Sequence, residues 1–219
     1  MGQASQRAAQ KSAPMETLDG YLEALASARP TPGGGSAAAV AGALGAALVA
    51  MVARITEANP KFAARASEAA ALARHADELR ATLLRARGDD ESAFAAVVAA
   101  QALPRTSDDA KAARTAALQR ALAGASEAPL QTARIALDVL RAGRAALELE
   151  NRNLGSDAGC AAEFAAAALA AAAYNVRANH PYMQDAAQVA RQDAELTAIG
   201  AEGDGLLAAV RDALEEAHQ

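Results

Sequence analysis

The sequence predicts an all-α fold, a single-domain multi-helix bundle with a buried central helix, and three observations carry that prediction. Hydrophobic residues make up 53% of the 219-residue chain, but alanine dominates them and aromatics contribute only 3%. β-Branched residues are sparse and no stretch alternates with period two, whereas apolar residues recur at steps of three and four. The chain is also long enough to bury a real core. An alanine-rich core implies thin side-chain layers and closely spaced helices.

The elements follow in order. Residues 1–14 are small and polar and read as a disordered tail; they lack the apolar run of a signal peptide, and Gln6 breaks a myristoylation pattern. The domain proper is placed at 15–219. Met15 to Ala28 is predicted as a short amphipathic helix with Leu18, Leu22 and Leu25 on one side, ended by Pro30 and Pro32. Thr31-Pro32-Gly33-Gly34-Gly35-Ser36 then forms a glycine turn, with Ser36 as N-cap of a helix reaching about Ala58. That helix carries no charge before Arg54. Val40, Leu44, Leu48, Met51 and Ile55 form one apolar stripe, and Ala38, Gly42, Ala46 and Ala50 a second, smooth one. Two such stripes predict packing on more than one side. The run approaches membrane-spanning length, yet alanine and glycine make it weakly apolar, so it reads as a buried helix of a soluble protein.

Pro60 is predicted to open a helix to about Arg87, with Gly88 as its stop and Asp89 or Asp90 capping the next, to about Leu103. Thr106 or Ser107 starts another, interrupted near Gly124 and Pro129, and Gly143 to about Glu150 forms a further helix. A polar loop follows, Asn151-Arg152-Asn153-Leu154-Gly155-Ser156-Asp157, with Ser156 capping a helix from Asp157 to about Asn179. After Pro181, two helices, about Tyr182–Ala201 and Asp204–Ala217, complete the chain.

A formal net charge of −5, with arginines scattered among carboxylates, argues against a nucleic-acid partner. The single Cys160 excludes a disulfide framework, and His75, His180 and His218 lack metal-ligand spacing, so no metal is expected. No membrane partner is expected either, and the location is taken as cytoplasmic. The glycine turn is neither a P-loop, because no Lys-Ser/Thr pair follows it, nor a dinucleotide fingerprint, because no strand precedes it. It is either a seat for an anion at the positive end of a helix or a helix start without a ligand. Asp90, one turn before Phe94, reads locally as an N-cap, and Lys61 as a solvated lysine. Arg114 pairs with a substrate carboxylate or only with Asp109 or Glu127. Asp157 and Asn175 share a helix face, but eighteen residues separate them by about 27 Å. Within one subunit they cannot touch one small reacting group.

The run Pro-Thr-Pro-Gly-Gly-Gly-Ser-Ala-Ala-Ala, followed by Ala-Gly-Ala-Leu-Gly-Ala-Ala-Leu and Met51, closely resembles the formiminotetrahydrofolate cyclodeaminase / methenyltetrahydrofolate cyclohydrolase family. Matching blocks extend to Asp185. Asp90 stands where the family has an aspartate ahead of Ala-Phe. Lys61-Phe62 falls on a lysine run of which this chain keeps one lysine. Arg114, Gln119 and Pro129-Leu130 match a further block. Asn151, Asn153, Ser156 and Asp157 match a Gly-Asn-x-Asn-x-x-Ser-Asp region in which Glu150 replaces the glycine, and Asn175, Asn179 and Asp185 match a last block.

The resemblance implies a homodimeric folate enzyme, with Asp90 in acid–base catalysis. Its implied reaction is hydrolysis of 5,10-methenyltetrahydrofolate to 10-formyltetrahydrofolate. Cyclodeamination of 5-formiminotetrahydrofolate and a silent folate-binding dimer are the alternatives. It further implies that Thr31 to Ser36, Lys61 and Arg114 receive anionic parts of the tetrahydrofolate, and that the Asn, Ser and Asp groups bind the rest. No cofactor beyond that substrate is implied.

Overall fold

A computed structural model describes residues 17–217. The predicted tail at 1–14 lies outside the described residues. The chain divides between Pro32 and Gly33 into two compact units. The first holds α1, Leu18–Leu25, whose amino end is capped by the Thr17 hydroxyl accepting from Gly20 N–H at 3.1 Å. It ends in a cis peptide between Thr31 and Pro32.

The second unit is a five-helix bundle: α2 Gly34–Glu57, α3 Ala66–Gln101, α4 Asp108–Leu147, α5 Gly155–Asn179 and α6 Ala186–Ala217. Short 3₁₀ turns, Pro60–Arg65, Arg152–Leu154 and His180–Tyr182, link some of them. The all-helical prediction holds, and α2 is the interior helix, packed against α3, α4 and α5. Its glycines show how close the neighbours come. A Cβ at Gly45 would lie 2.8 Å from the Ala161 carbonyl of α5, and one at Gly42 would meet Leu83 of α3 and Ala168 of α5. The order of the α5 pairs makes that helix antiparallel to α2, and Gly42 beside Leu83 with Gly35 beside Asp90 does the same for α3. By length and composition α2 and the stretch Arg152–Tyr182 could each cross a membrane, with 61% and 50% of the most apolar window buried inside the bundle.

Several predicted breaks are absent, and packing explains why. Gly88 does not stop a helix: α3 runs through it. An interior glycine costs about 1 kcal/mol, less than α3 recovers by lying along α2 and α4. The same holds for Gly124 and Gly143 within α4, and for Gly200 to Gly205 within α6, which is one helix rather than two. Pro129 is the sharper case. It sits buried within the continuous α4, where its ring removes the amide that would bond the Ala125 carbonyl. The Asn179 side chain of α5 supplies the missing donor, its Nδ2 lying 3.1 Å from Ala125 O. A tertiary hydrogen bond therefore replaces the lost helical one.

The capping predictions divide. Ser107 caps α4, its hydroxyl accepting from Ala110 N–H at 3.1 Å. Ser36 and Ser156 do not cap, because α2 starts at Gly34 behind Gly33 and α5 at Gly155 behind Leu154. Asp90 lies in the middle of α3 and caps no start of its own helix. The smooth Ala38–Gly42–Ala46–Ala50 stripe of α2 is buried as its close packing requires, whereas Leu44 and Ile55 on the larger stripe are 50% and 45% exposed.

Candidate active site

α2 begins without a cap from its own sequence: Gly33 has no side chain to offer, and the first turn holds no acidic residue. The free amides of that turn need acceptors. α3, running antiparallel, brings Asp90 to them. The Ser36 backbone N–H donates to the Asp90 carboxylate, and Asp90 fills the space beside Gly35 so closely that a Cβ there would lie 2.5 Å from its Cγ and 2.7 Å from Oδ2. Gly35 thus stands where only glycine admits the carboxylate. The amino end of α2 thus faces a carboxylate of the chain itself.

The next residue joins in. The Ser36 hydroxyl, fully buried, donates to Glu91 Oε1 at 3.0 Å. Burial is the main influence raising the Asp90 carboxyl above the ordinary aspartate range, opposed by the Ser36 amide and reinforced by the negative charge of Glu91. From the other side α5 delivers Asn175, whose amide nitrogen would lie 3.2 Å from a Cβ on Gly34. One turn on, Asn179 donates to the Asn175 carbonyl at 3.0 Å as well as to Ala125. Gly33 to Ser36, Asp90, Asn175 and Asn179 therefore gather at one end of the unit, with Glu91, which sequence reading missed. Its signal was faint: a second carboxylate immediately after Asp90.

Two more predicted residues sit farther along this side, in structural contacts. Arg114 Nε donates to the Gln101 carbonyl at 3.2 Å, satisfying the carboxyl end of α3. It bonds neither Asp109 nor Glu127. Asp185 caps α6 by accepting from Gln188 N–H at 2.9 Å. Gln119 clamps the turn before it, donating to Tyr182 O at 3.0 Å and accepting from Gln184 N–H at 2.7 Å. An open hollow of about 420 Å³ lies here, lined by Gln119, Arg120, Met183 and Asp185 among others.

The remaining predicted residues lie at the opposite end. Asn151 is buried and its Nδ2 donates to the Thr56 hydroxyl at 3.0 Å, tying the polar loop to the last turn of α2. Lys61 is exposed just beyond that turn, and Asn153, Ser156 and Asp157 follow Asn151. Ser36 and Thr56 are twenty residues apart on one helix, about 30 Å. The continuous α5 keeps Asp157 and Asn175 apart in the same way. Glu150 adopts φ 64°, the left-handed conformation that favours glycine, and pairs with Arg65 at 2.8 Å. Among the described residues no group of three His, Cys, Asp or Glu side chains is placed to hold a metal ion.

Fold and site together define a class: an all-helical bundle with a raised carboxylate set across the amino end of its interior helix. A family model described as Formiminotransferase-cyclodeaminase matches residues 17–198, and the chain belongs to that family. It is 40% identical over 191 residues to a methenyltetrahydrofolate cyclohydrolase of Methylorubrum extorquens, covering 87% of this chain and 92% of that one. A formimidoyltransferase-cyclodeaminase of Rattus norvegicus is 31% identical over 169 residues, 77% of this chain but 31% of the longer rat protein. The crystal structure of a formiminotetrahydrofolate cyclodeaminase from Thermotoga maritima superposes with a TM-score of 0.83 at 27% identity, covering 93% of this chain and 98% of that one.

Proposed function

We propose that this protein hydrolyses 5,10-methenyltetrahydrofolate to 10-formyltetrahydrofolate. The observation that carries the proposal is the Asp90 carboxylate, held at the amino end of α2 and raised by burial, in a chain 40% identical to a methenyltetrahydrofolate cyclohydrolase. The one-carbon bridge of the substrate is a delocalised cation, so a carboxylate stabilises it in place. A less acidic Asp90 is also a better base toward water. Asp90 takes a proton from water as the oxygen adds to the bridge carbon. The bond from that carbon to one of its two nitrogens then breaks as the added hydroxyl becomes the formyl carbonyl. The proton that hydroxyl gives up goes to the departing nitrogen, the formyl group stays on the other nitrogen, and Asp90 releases its proton to solvent. Asn175 lies close enough to the amino end of α2 to hydrogen-bond the bound ring system. The reaction as drawn requires no metal or redox cofactor.

The acting species is a homodimer on this reading. Leu44 and Ile55 on α2, with Phe164 and Tyr174 on α5, are large apolar side chains left exposed on the single chain, Tyr174 by 73%, and in the proposed dimer they form one face. A second copy related by a two-fold axis across the middle of α2 covers this face. It also lays the partner's Lys61–Asn151 end against this chain's Asp90 end. That arrangement reconciles two groups of family-matching residues that one chain keeps about 30 Å apart. Lys61 then meets the anionic tail of the folate.

Ammonia-releasing cyclodeamination is the second reading, supported by the likeness to the Thermotoga maritima cyclodeaminase. Two assays on the purified protein separate them: loss of the methenyltetrahydrofolate absorbance, and ammonia release from 5-formiminotetrahydrofolate. Hydrolysis well above the spontaneous rate without ammonia release supports the first reading; the reverse supports the second. Binding without either turnover leaves the silent dimer.

A further inference from the structure

We propose that Glu91 is a positioning residue for the Asp90 carboxylate, acting through the hydroxyl of Ser36. The inference rests on the reading of Asp90 as the reacting base and deepens it. Consecutive residues of a helix point about 100° apart, so Asp90 and Glu91 ordinarily serve different neighbours. Here both meet one residue. The Ser36 backbone N–H donates to Asp90 and the Ser36 hydroxyl donates to Glu91 at 3.0 Å. This is geometrically possible because α2 begins against the side of α3, so that Ser36 in its first turn reaches both carboxylates.

The arrangement decides where a mobile hydroxyl points. A serine side chain has three staggered orientations, and Ser36 sits in a fully buried position beside two acceptors. Held by Glu91, its O–H leaves Asp90 with the single amide donor from this residue. Released, it has a second carboxylate within the same turn to bond. A further donor on Asp90 stabilises its ionised form and weakens it as a base. Glu91 therefore keeps Asp90 poorly solvated and basic in two ways: it occupies the hydroxyl, and its own charge opposes ionisation of its neighbour.

The other groups facing this point leave that role to Glu91. α2 is uncharged before Arg54, and the α5 group beside Gly34 is the neutral Asn175 amide. On α4, Glu127 is engaged with Arg134 at 2.6 Å and accepts from Gln192 of α6 at 3.4 Å. Arg87 lies one turn earlier on α3 itself and is unchanged in the variants below.

The test is a cycle of four proteins, wild type, Glu91→Gln, Ser36→Ala and the double variant, with Asp90→Asn alongside. For each, kcat, KM and the pH profile of kcat/KM for methenyltetrahydrofolate are measured, and circular dichroism checks the fold. Glu91→Gln is expected to lower kcat about tenfold with KM within about twofold, and to move the acid limb to lower pH. In the Ser36→Ala background the same substitution is expected to do clearly less, because no hydroxyl remains to swing onto Asp90.

Three results overturn the proposal: wild-type kcat and pH profile in Glu91→Gln, a rise in KM alone, or an equal effect with and without Ser36. If Glu91→Gln fails to fold, Glu91→Asp and its Ser36→Ala double variant are read by the same criteria. Inactive Asp90→Asn beside wild-type-like Glu91→Gln removes only the role of Glu91. Active Asp90→Asn removes the catalytic reading and this inference with it.

Discussion

Adding one methyl group at Gly35 probes the site without touching a polar atom. In Gly35→Ala the new Cβ would overlap Asp90 Oδ1 and lie 2.5 Å from its Cγ, so the carboxylate must retreat by about 1 Å or more to reach van der Waals separation. Retreat breaks the Ser36 amide bond and leaves the amino end of α2 uncapped. A lost cap costs about 0.5–2 kcal/mol, and separating a negative charge from the helix end costs a further 0.3–1 kcal/mol or about that. Alanine in place of glycine within the helix returns up to about 1 kcal/mol. The net loss is about 0–2 kcal/mol, within the stability of an ordinary domain. Activity suffers far more, since a displacement of about 1 Å at a reacting group costs about 100-fold. Urea unfolding followed by circular dichroism, beside turnover of methenyltetrahydrofolate, measures both. Near-native stability with a hundredfold loss of kcat is expected. Full turnover in folded Gly35→Ala would refute the placement of Asp90 at the chemistry.

Further outcomes follow from the same geometry. Asn179→Ala leaves the Ala125 carbonyl without its tertiary donor and is expected to cost about 1–3 kcal/mol. In a Pro129→Ala background the restored amide serves that carbonyl, so the cost shrinks, and a double-mutant cycle by urea unfolding measures the difference. Asn151→Ala removes the donor to the buried Thr56 hydroxyl and is expected to lower stability by about 1–2 kcal/mol without altering the Asp90 end of the same chain. Because the folded protein raises the Asp90 carboxyl, its ionisation opposes folding. The stabilisation that the protonated form contributes is complete below the unfolded value, about 3.9, and is lost as pH rises through the folded one. Asp90→Asn is therefore expected to melt no lower than wild type at neutral pH while losing turnover. For the same reason the acid limb of wild-type kcat/KM should lie above the ordinary aspartate range. Leu44→Glu is expected to yield a monomer by size-exclusion chromatography with light scattering, and an inactive one.

The fold was legible where periodicity decides it, and less so where tertiary contacts overrule local signals. Helix type followed from spacing alone, as did the Ser107 cap and the inward leucines Leu79 and Leu83 of α3. Glycine and proline misled, because Gly88 costs little inside a long packed helix and the carbonyl that Pro129 leaves without a donor is served by Asn179, 54 residues further along the chain. No local pattern discloses that partner. The stripes of α2 were legible as stripes, but not that Leu44 and Ile55 on the larger one stay exposed, since side-chain size alone does not tell a buried face from an exposed one. At the site, the glycines and Asp90 were assigned to one pocket, but not the direct contact in which the carboxylate meets the first turn of α2. Asp90 looked like a cap and is one, for a different helix. Glu91 stayed hidden because its role depends on where α2 ends against α3, which is a fact of packing and not of spacing.

The position of a bound folate tests the central claim most directly. A crystal structure with a non-hydrolysable methenyltetrahydrofolate analogue should place the one-carbon bridge within hydrogen-bond reach of an Asp90 oxygen, about 2.6–3.2 Å or through one water, with the ring system beside Gly34 and Asn175. A ligand lodged away from both Gly34 and Asp90 would contradict the account.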